Sequence, residues 1–166
     1  GMFTLPGVPA GRYILTLPLP SGWYVKSATG RGQDLVELPF QLSDDITDVV
    51  VTISDRGAGV SGTVRDRDSK PDPAAGVMVF PVDNRQWVDF SAYPRRIRET
   101  RTGRDGTFAL SDFPAGDYYI AAVPQASMNW SVPGLLDRLS KVATRISLAE
   151  GDRKTVDLRT AQVPVK

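Results

Sequence analysis

The sequence predicts an all-β protein built as an antiparallel β-sandwich. Short apolar and alternating runs recur along the 166 residues, and turns that use the 15 glycines and 13 prolines separate them. Such punctuation is typical of many short strands. Residues 118–123 are apolar on both alternating faces, which is typical of a strand in the middle of a sandwich that is covered on both sides. We therefore expect the other elements to pack around this strand.

The central stretch, residues 102–124, contains two corners. Asp105-Gly106 can supply the positive-φ corner of a hairpin, and residues 114–116 form the second corner. Phe108 and Leu110 fall on one face of the strand between the corners. After the second corner, one face is expected to carry Tyr118, Ile120 and Ala122, and the other Tyr119, Ala121 and Val123.

The same signature occurs at the start of the chain. Residues 3–14 match residues 108–119 at a constant offset, with Phe, Leu, Pro, Ala, Gly and Tyr in the same places, and we interpret the match as an internal repeat. The second copy has strand-like sequence ahead of it, from about Val60. We therefore expect residues 1–56 to be the C-terminal part of a truncated module, 57–160 a complete sandwich, and 161–166 a tail.

The remaining elements follow from alternation and turn residues. The sequence predicts strands at residues 11–19, 23–25, 35–38 with 39–42, 47–54, 60–64, 76–82, 95–101, 146–148 and 154–158. Residues 55–59 are a glycine-bearing linker, 66–73 a surface turn, and 83–94 a long connection. Residues 125–141 predict a short helical insert, with Pro133 in its first turn and Leu135, Leu136 and Leu139 on its packed face.

Four motifs carry a family resemblance. They are residues 60–66 (VSGTVRD), 70–77 (KPDPAAGV), 105–108 (DGTF) and 114–118 (PAGDY). Together they resemble the carboxypeptidase regulatory-like domain, a transthyretin-like, Ig-like β-sandwich of the starch-binding-domain-like superfamily. The resemblance implies the fold and tandem modules of an exported bacterial protein, and modules of this kind serve many functions. The long connection and the helical insert depart from the family pattern.

The residue types argue against catalysis. The chain has no His and no Cys, so the common general base, the thiolate nucleophile and the usual zinc ligands are missing. Its candidate acidic residues occupy turn contexts, where a structural role is favoured over acid–base chemistry: Asp44, Asp45, Asp66, Asp68 and Asp105. No third acidic position, glycine and closing Glu follow Asp66 and Asp68 in the register of a calcium loop. We expect no enzyme activity, no metal and no cofactor.

Two groups of residues are candidates for binding. The best ligand candidates are Trp87, Phe90, Tyr93 and Trp130, because exposed aromatic rings stack on sugars and anchor proteins. The alternative is that they pack beneath the long connection as a satellite core. The second group is the basic series Arg95, Arg96, Arg98, Arg101 and Arg104, which is either a solvated sheet face or edge, or a site for an anionic partner.

The sequence therefore predicts a non-catalytic module. It would be a structural spacer or protein-interaction domain of a larger exported or cell-surface bacterial protein, periplasmic, outer-membrane-associated or secreted. The alternative is a carbohydrate-binding appendage of a polysaccharide-active enzyme. Expected partners are neighbouring modules and a glycan or protein ligand, with self-association through the truncated module. A net charge of +1 gives no field for nucleic acid, and no apolar run of the fragment is long enough to span a membrane.

Overall fold

The computed structural model describes residues 1–87 and 95–162. The N-terminal segment, residues 1–56, forms β1 (Gly11–Tyr13), β2 (Tyr24–Gly30), β3 (Gln33–Asp34), β4 (Phe40–Leu42) and β5 (Val50–Ser54). The C-terminal segment, residues 57–162, forms β6 (Ala58–Arg65), β7 (Ala75–Pro81), β8 (Arg98–Arg101), β9 (Thr107–Phe113), β10 (Gly116–Pro124), α1 (Leu135–Ser140), β11 (Thr144–Leu148), β12 (Arg153–Thr155) and β13 (Leu158–Arg159). Two 3-10 helices cover Asn84–Gln86 and Gln125–Ser127. The predicted all-β class is confirmed.

Two four-stranded sheets form a sandwich in the C-terminal segment. The first has the order β11-β10-β7-β8, and all of its pairings are antiparallel. In the second, β9 pairs antiparallel with β6, while β12 and β13 run parallel to β6 along its other side. The sandwich is therefore antiparallel except for its two closing strands.

Strand β10 is buried on both faces, as its sequence predicts. Tyr118, Ile120 and Ala122 belong to the cluster between the two sheets. Ala121 and Val123 belong to a second cluster on the outer face of the first sheet, and Tyr119 packs against that cluster. The first sheet is thus the middle of three layers, because the helical insert covers its outer face.

Helix α1 supplies the third layer. Its three leucines, Leu135, Leu136 and Leu139, are buried in the outer cluster, as the helical spacing predicts. Pro133 precedes the helix instead of lying in its first turn, because Gly134 is the N-cap and its left-handed φ of 72° turns the chain there. The predicted range of 125–141 therefore holds one 3-10 helix and one helix of six residues.

The N-terminal segment has its own small core and two small sheets. β1 pairs with β4, and β2 lies between β3 and β5. The core consists of Ala28, Leu35 and Val36, with Val49 and Val51 packed against it. The strand predicted at 35–38 is a bend, because the Asp34 carboxylate accepts the N–H groups of Val36 and Glu37 at 2.9 and 2.5 Å.

Two other predicted elements of this segment are shorter than expected. Residues 11–19 form a strand only at Gly11–Tyr13. Pro18 and Pro20 have no N–H to give to a ladder, so the paired strand ends before them. The last strand begins at Val50 instead of residue 47, and Ile53, expected on the apolar face, is 45% exposed.

The two copies of the sequence repeat share a corner geometry. The Tyr13 hydroxyl donates to the carbonyl oxygen of Pro9 at 2.9 Å, and that of Tyr118 donates to Pro114 at 2.7 Å. A side chain on the glycine two residues before each tyrosine would touch its ring, at 3.2 Å for Gly11 and 3.5 Å for Gly116. The repeated sequence therefore encodes the same tyrosine corner twice.

We expect Tyr118→Phe to lower the free energy of unfolding by about 1–2 kcal/mol, because a buried hydrogen bond is lost. The matched variant is Tyr13→Phe, whose hydrogen bond is exposed, so its loss should be smaller. Urea unfolding followed by circular dichroism compares the two variants. An equal or larger effect of Tyr13→Phe would contradict this ranking.

Candidate functional site

The acidic residues singled out in the sequence lie outside the strands, in turns, a bend or loop positions. Asp66 accepts the N–H groups of Asp68 and Lys70, both at 2.9 Å. Asp105 accepts the Thr107 hydroxyl at 2.7 Å, and these contacts stabilise the turn conformations. Within residues 1–87 and 95–162, no group of three or more His, Cys, Asp or Glu side chains could hold a metal ion.

The four aromatic candidates are only partly within the described residues. Phe90 and Tyr93 lie outside them. Trp87 donates its Nε1–H to the Pro81 carbonyl at 2.8 Å and meets Phe80 edge to face at 5.7 Å. Trp87 and Trp130 are both partly buried against the outer cluster, which is the packing that the satellite-core alternative predicts. The ligand-binding role stays a prediction.

The basic series is divided between strand β8, which holds Arg98 and Arg101, and the turns on either side of it, which hold Arg95, Arg96 and Arg104. The predicted strand at 95–101 begins only at Arg98, and Arg95 and Arg96 lie in the turn before it. Their guanidinium groups face Glu37 of the N-terminal segment. Arg95 and Arg96 do not continue the alternation of β8, because their side chains form ion pairs with this distant carboxylate. The prediction of one continuous basic strand is therefore wrong at its start.

Glu37 binds both arginines. Arg96 holds the carboxylate in a two-pronged contact, with Nε to Oε2 at 2.6 Å and Nη2 to Oε1 at 2.7 Å. Arg95 bonds the same Oε1 and also donates to the carbonyl oxygens of Val25 and Lys26. A bidentate pair fixes orientation as well as distance, so these contacts join the N-terminal and C-terminal segments in a defined geometry.

Arg96 also connects this ion pair to the central strand. Its Nη1 group donates to the Tyr118 hydroxyl at 2.8 Å and to the Ala115 carbonyl at 3.0 Å. The guanidinium lies 5.9 Å from the centre of the Tyr118 ring. We call Glu37, Arg95, Arg96 and Tyr118 the Glu37 network.

The network is largely withdrawn from solvent. The side chains of Arg95, Arg96 and Glu37 are 18%, 16% and 21% exposed. Burial alone would raise the pKa of Glu37, but the hydrogen bonds and charges of the two arginines outweigh it and hold that pKa below its usual value. Burial raises the pKa of Tyr118 despite the nearby Arg96 charge. Glu37 is therefore ionised and Tyr118 neutral at neutral pH.

A second carboxylate joins the two segments at a more exposed place. Glu150 accepts the ammonium group of Lys26 at 2.7 Å and the hydroxyl of Ser54 at 2.9 Å. The hydrogen bond from Lys26 lowers the pKa of Glu150. Because the pair is exposed, it contributes less to stability than the Glu37 network does.

A cavity of about 510 Å³ lies beside the network, between the two segments. Aliphatic side chains of residues 14–19 form part of its wall, and Trp23, Arg95, Arg96 and Arg98 also line it. Residues 14–19 are the sequence match of residues 119–124 in β10. The cavity therefore runs along the part of the N-terminal segment that corresponds to the central strand.

Sequence reasoning missed Glu37. Nothing in the residues around it distinguishes it from a surface glutamate, and it lies 58 positions from its first arginine partner. The high density of arginine near residue 95 was the available signal. An anionic partner was one of the two alternatives for this series, and for Arg95 and Arg96 the structure supplies that partner from within the chain.

No family model matches the chain, and no curated protein matches it. Among solved structures, the Bacillus cereus major pilin subunit BcpA is 15% identical with a TM-score of 0.42, over 74% of this chain and 33% of that one. The Streptococcal ancillary pilin is 17% identical with a TM-score of 0.41, over 85% and 45%. The dioxygenase domain of a dioxygenase and carbohydrate-binding protein fusion from Streptomyces sp. SirexAA-E is 18% identical with a TM-score of 0.37, over 63% and 80%.

This chain thus spans 33% of the length of BcpA. At these identities and TM-scores, the likenesses assign neither a family nor a ligand to the chain. The resemblance to the carboxypeptidase regulatory-like domain stays a prediction. None of the helices in the described residues is long and apolar enough to cross a membrane.

We expect Glu37→Gln to lower stability at neutral pH by about 1–3 kcal/mol, because two largely buried arginines lose their counter-charge. Since the folded pKa of Glu37 is depressed, its contribution is complete above the unfolded value and disappears as pH falls through the folded value. The melting temperatures of the two proteins should therefore begin to converge as the pH falls below the unfolded pKa of about 4.5, and they should coincide only below the lower folded pKa. A difference that stays constant into strong acid would count against the network.

Proposed function

We propose that the protein is a non-catalytic β-sandwich spacer module of a larger bacterial surface protein, with its neighbouring segment held at a fixed angle. The observation that carries this proposal is the Glu37 network, in which one carboxylate of the N-terminal segment binds two arginines of the C-terminal segment. Interfaces between domains of one chain commonly permit relative motion. A largely buried, bidentate ion pair restricts that motion, which is what a spacer requires.

The residue types support a non-catalytic function. The sequence has neither histidine nor cysteine, and the carboxylates of Asp66 and Asp105 accept backbone N–H groups of their own turns. The carboxypeptidase regulatory-like motifs support membership in that family, and with it a periplasmic, outer-membrane-associated or secreted location. We assign these finer points on the motifs alone.

The domain division is also a proposal. Residues 57–160 would be a complete sandwich and residues 1–56 the C-terminal part of a second one. The shared tyrosine corner supports it. The strand pairing agrees, since β1 pairs with β4 as β10 pairs with β11, with Gly11 opposite Leu42 and Gly116 opposite Leu148.

A carbohydrate-binding function is the second candidate. Trp87 and Trp130 pack against the same cluster and keep part of their surface exposed, and Trp87 adjoins the connection that contains Phe90 and Tyr93. Partly exposed indole rings suit stacking on a sugar ring. The aromatic packing already seen would then serve stability and binding together.

The spacer function predicts that the junction loosens when its carboxylates are neutralised. In Glu37→Gln/Glu150→Gln, limited proteolysis at Asp55 and Arg56, the exposed residues between β5 and β6, should become faster, and the two segments should tumble more independently in NMR relaxation. The matched control is Asp117→Asn/Asp137→Asn, which removes two carboxylate ion pairs that lie within the C-terminal segment. If the control loosens the junction as much, or neither variant does, the spacer proposal fails.

The second candidate predicts that Trp87→Ala or Trp130→Ala weakens binding of a soluble polysaccharide by roughly 1–3 kcal/mol. The melting temperature should also fall, because both rings pack against the outer cluster. Affinity electrophoresis measures the binding, and calorimetry the stability. Val142→Ala, at an exposed apolar residue, is the control. A fall in melting temperature of several degrees with no polysaccharide bound would assign both rings to the core.

A further inference from the structure

The first eight residues carry apolar side chains that the repeat would bury. Phe3, Leu5 and Val8 are 53%, 63% and 42% exposed. Their sequence matches are Phe108, Leu110 and Phe113 in β9. Phe108 and Phe113 are 5% and 0% exposed, and Leu110 packs against the same core. The same residue pattern is therefore buried in one copy and open in the other.

The difference lies in a strand partner. In the C-terminal segment β9 pairs with β6, with Phe108 opposite Gly62, Leu110 opposite Val60 and Phe113 opposite Ala58. In the N-terminal segment, none of the hydrogen bonds among the described residues involves residues 1–8. Unpaired backbone next to exposed apolar side chains is the state of a strand edge that can accept another strand.

Two neighbouring features point to the same partner. Residues 14–19 match residues 119–124 of β10, which pair with β7, and the cavity of about 510 Å³ lies along residues 14–19. The match of the closing strands is residues 48–54, of which β5 (Val50–Ser54) pairs antiparallel with β2, whereas β12 and β13 run parallel to β6. In the C-terminal segment these residues pair with β6 or β7. Their sequence matches in the N-terminal segment are either unpaired or paired with a different strand.

We propose that residues 3–8 accept a β-strand of the β6 type, followed by a β7-type strand alongside residues 14–19, both supplied by a further segment of the same protein that completes the N-terminal module. This inference rests on the proposed division of the chain, and it identifies the partner. The pairing of β6 with β9 in the C-terminal segment indicates which residues the incoming strand needs.

The incoming strands can be described by their residues. The first carries small or β-branched inward side chains and a glycine opposite Phe3, because a side chain on Gly62 would lie 2.0 Å from the Val156 carbonyl oxygen and 3.1 Å from the Phe108 ring. The second is apolar throughout, since all seven residues of β7 are buried. A second copy of this chain cannot supply its own β6, because both edges of that strand are already paired.

The test places the missing strands next to their acceptor. A copy of residues 57–107 is fused directly ahead of Phe3, in place of Gly1 and Met2, so that Phe3 follows the copy as Phe108 follows residue 107. Amide hydrogen exchange of residues 3–8 should become at least about tenfold slower than in the unfused chain. Exchange in β10 reports that the C-terminal sandwich remains folded.

The matched control is the same fusion with Val60→Asp and Val64→Asp in the copy alone, which preserves length but places charges on the inward face. It should exchange as fast as the unfused chain. Equal protection in the control, or none in the fusion while β10 stays protected, overturns the proposal. So does concentration-dependent protection in the unfused chain, which would make a second copy the occupant. The proteolysis test of the junction needs no added strand, so either proposal can fail alone.

Discussion

Burial of β10 on both faces is the constraint on which the rest of the structure depends. Its backbone groups must be paired along both edges, and β7 and β11 provide those pairings. Its side chains need apolar cover above and below. One cover is the second sheet, and the other is the helical insert with its three leucines. The insert is therefore part of the fold, because without it Ala121 and Val123 would face water.

Tyr118 connects the core of the sandwich to the junction between the N-terminal and C-terminal segments. Its ring is buried between the sheets, edge to face with Phe113 at 5.4 Å. Its hydroxyl holds the corner carbonyl of Pro114 and accepts from Arg96, which in turn binds Glu37. The position of the arginine is thus fixed from the inside of the sandwich. Tyr13 makes the same corner at an exposed place and has no arginine on its hydroxyl among the described contacts.

How much the sequence predicts depends on how local the cause is. The two faces of β10 and the leucines of α1 were predictable because burial dictates an apolar residue at each position. The bend at 35–38 was not predictable. It forms because the Asp34 carboxylate accepts two backbone N–H groups that could otherwise bond to a neighbouring strand. Alternation also carries no information on strand direction, so the parallel pairing of β12 and β13 with β6 could not be read from it. The Glu37 network requires the docked arrangement of two segments, which no local pattern encodes.

The charges of the Glu37 network explain why its members are not equivalent. Two arginines share one carboxylate. The carbonyl oxygens of Val25 and Lys26 accept further N–H groups of Arg95, and that of Ala115 accepts from Arg96, while the buried Nε of Arg95 has no partner among the described residues. Burial lowers the pKa of Arg95, as expected where desolvation exceeds the attraction of a shared anion. Loss of Arg95 would leave a balanced pair of Arg96 and Glu37. Loss of Glu37 would leave two adjacent cations with only dipoles as partners, so the single carboxylate is the member that the junction tolerates losing least.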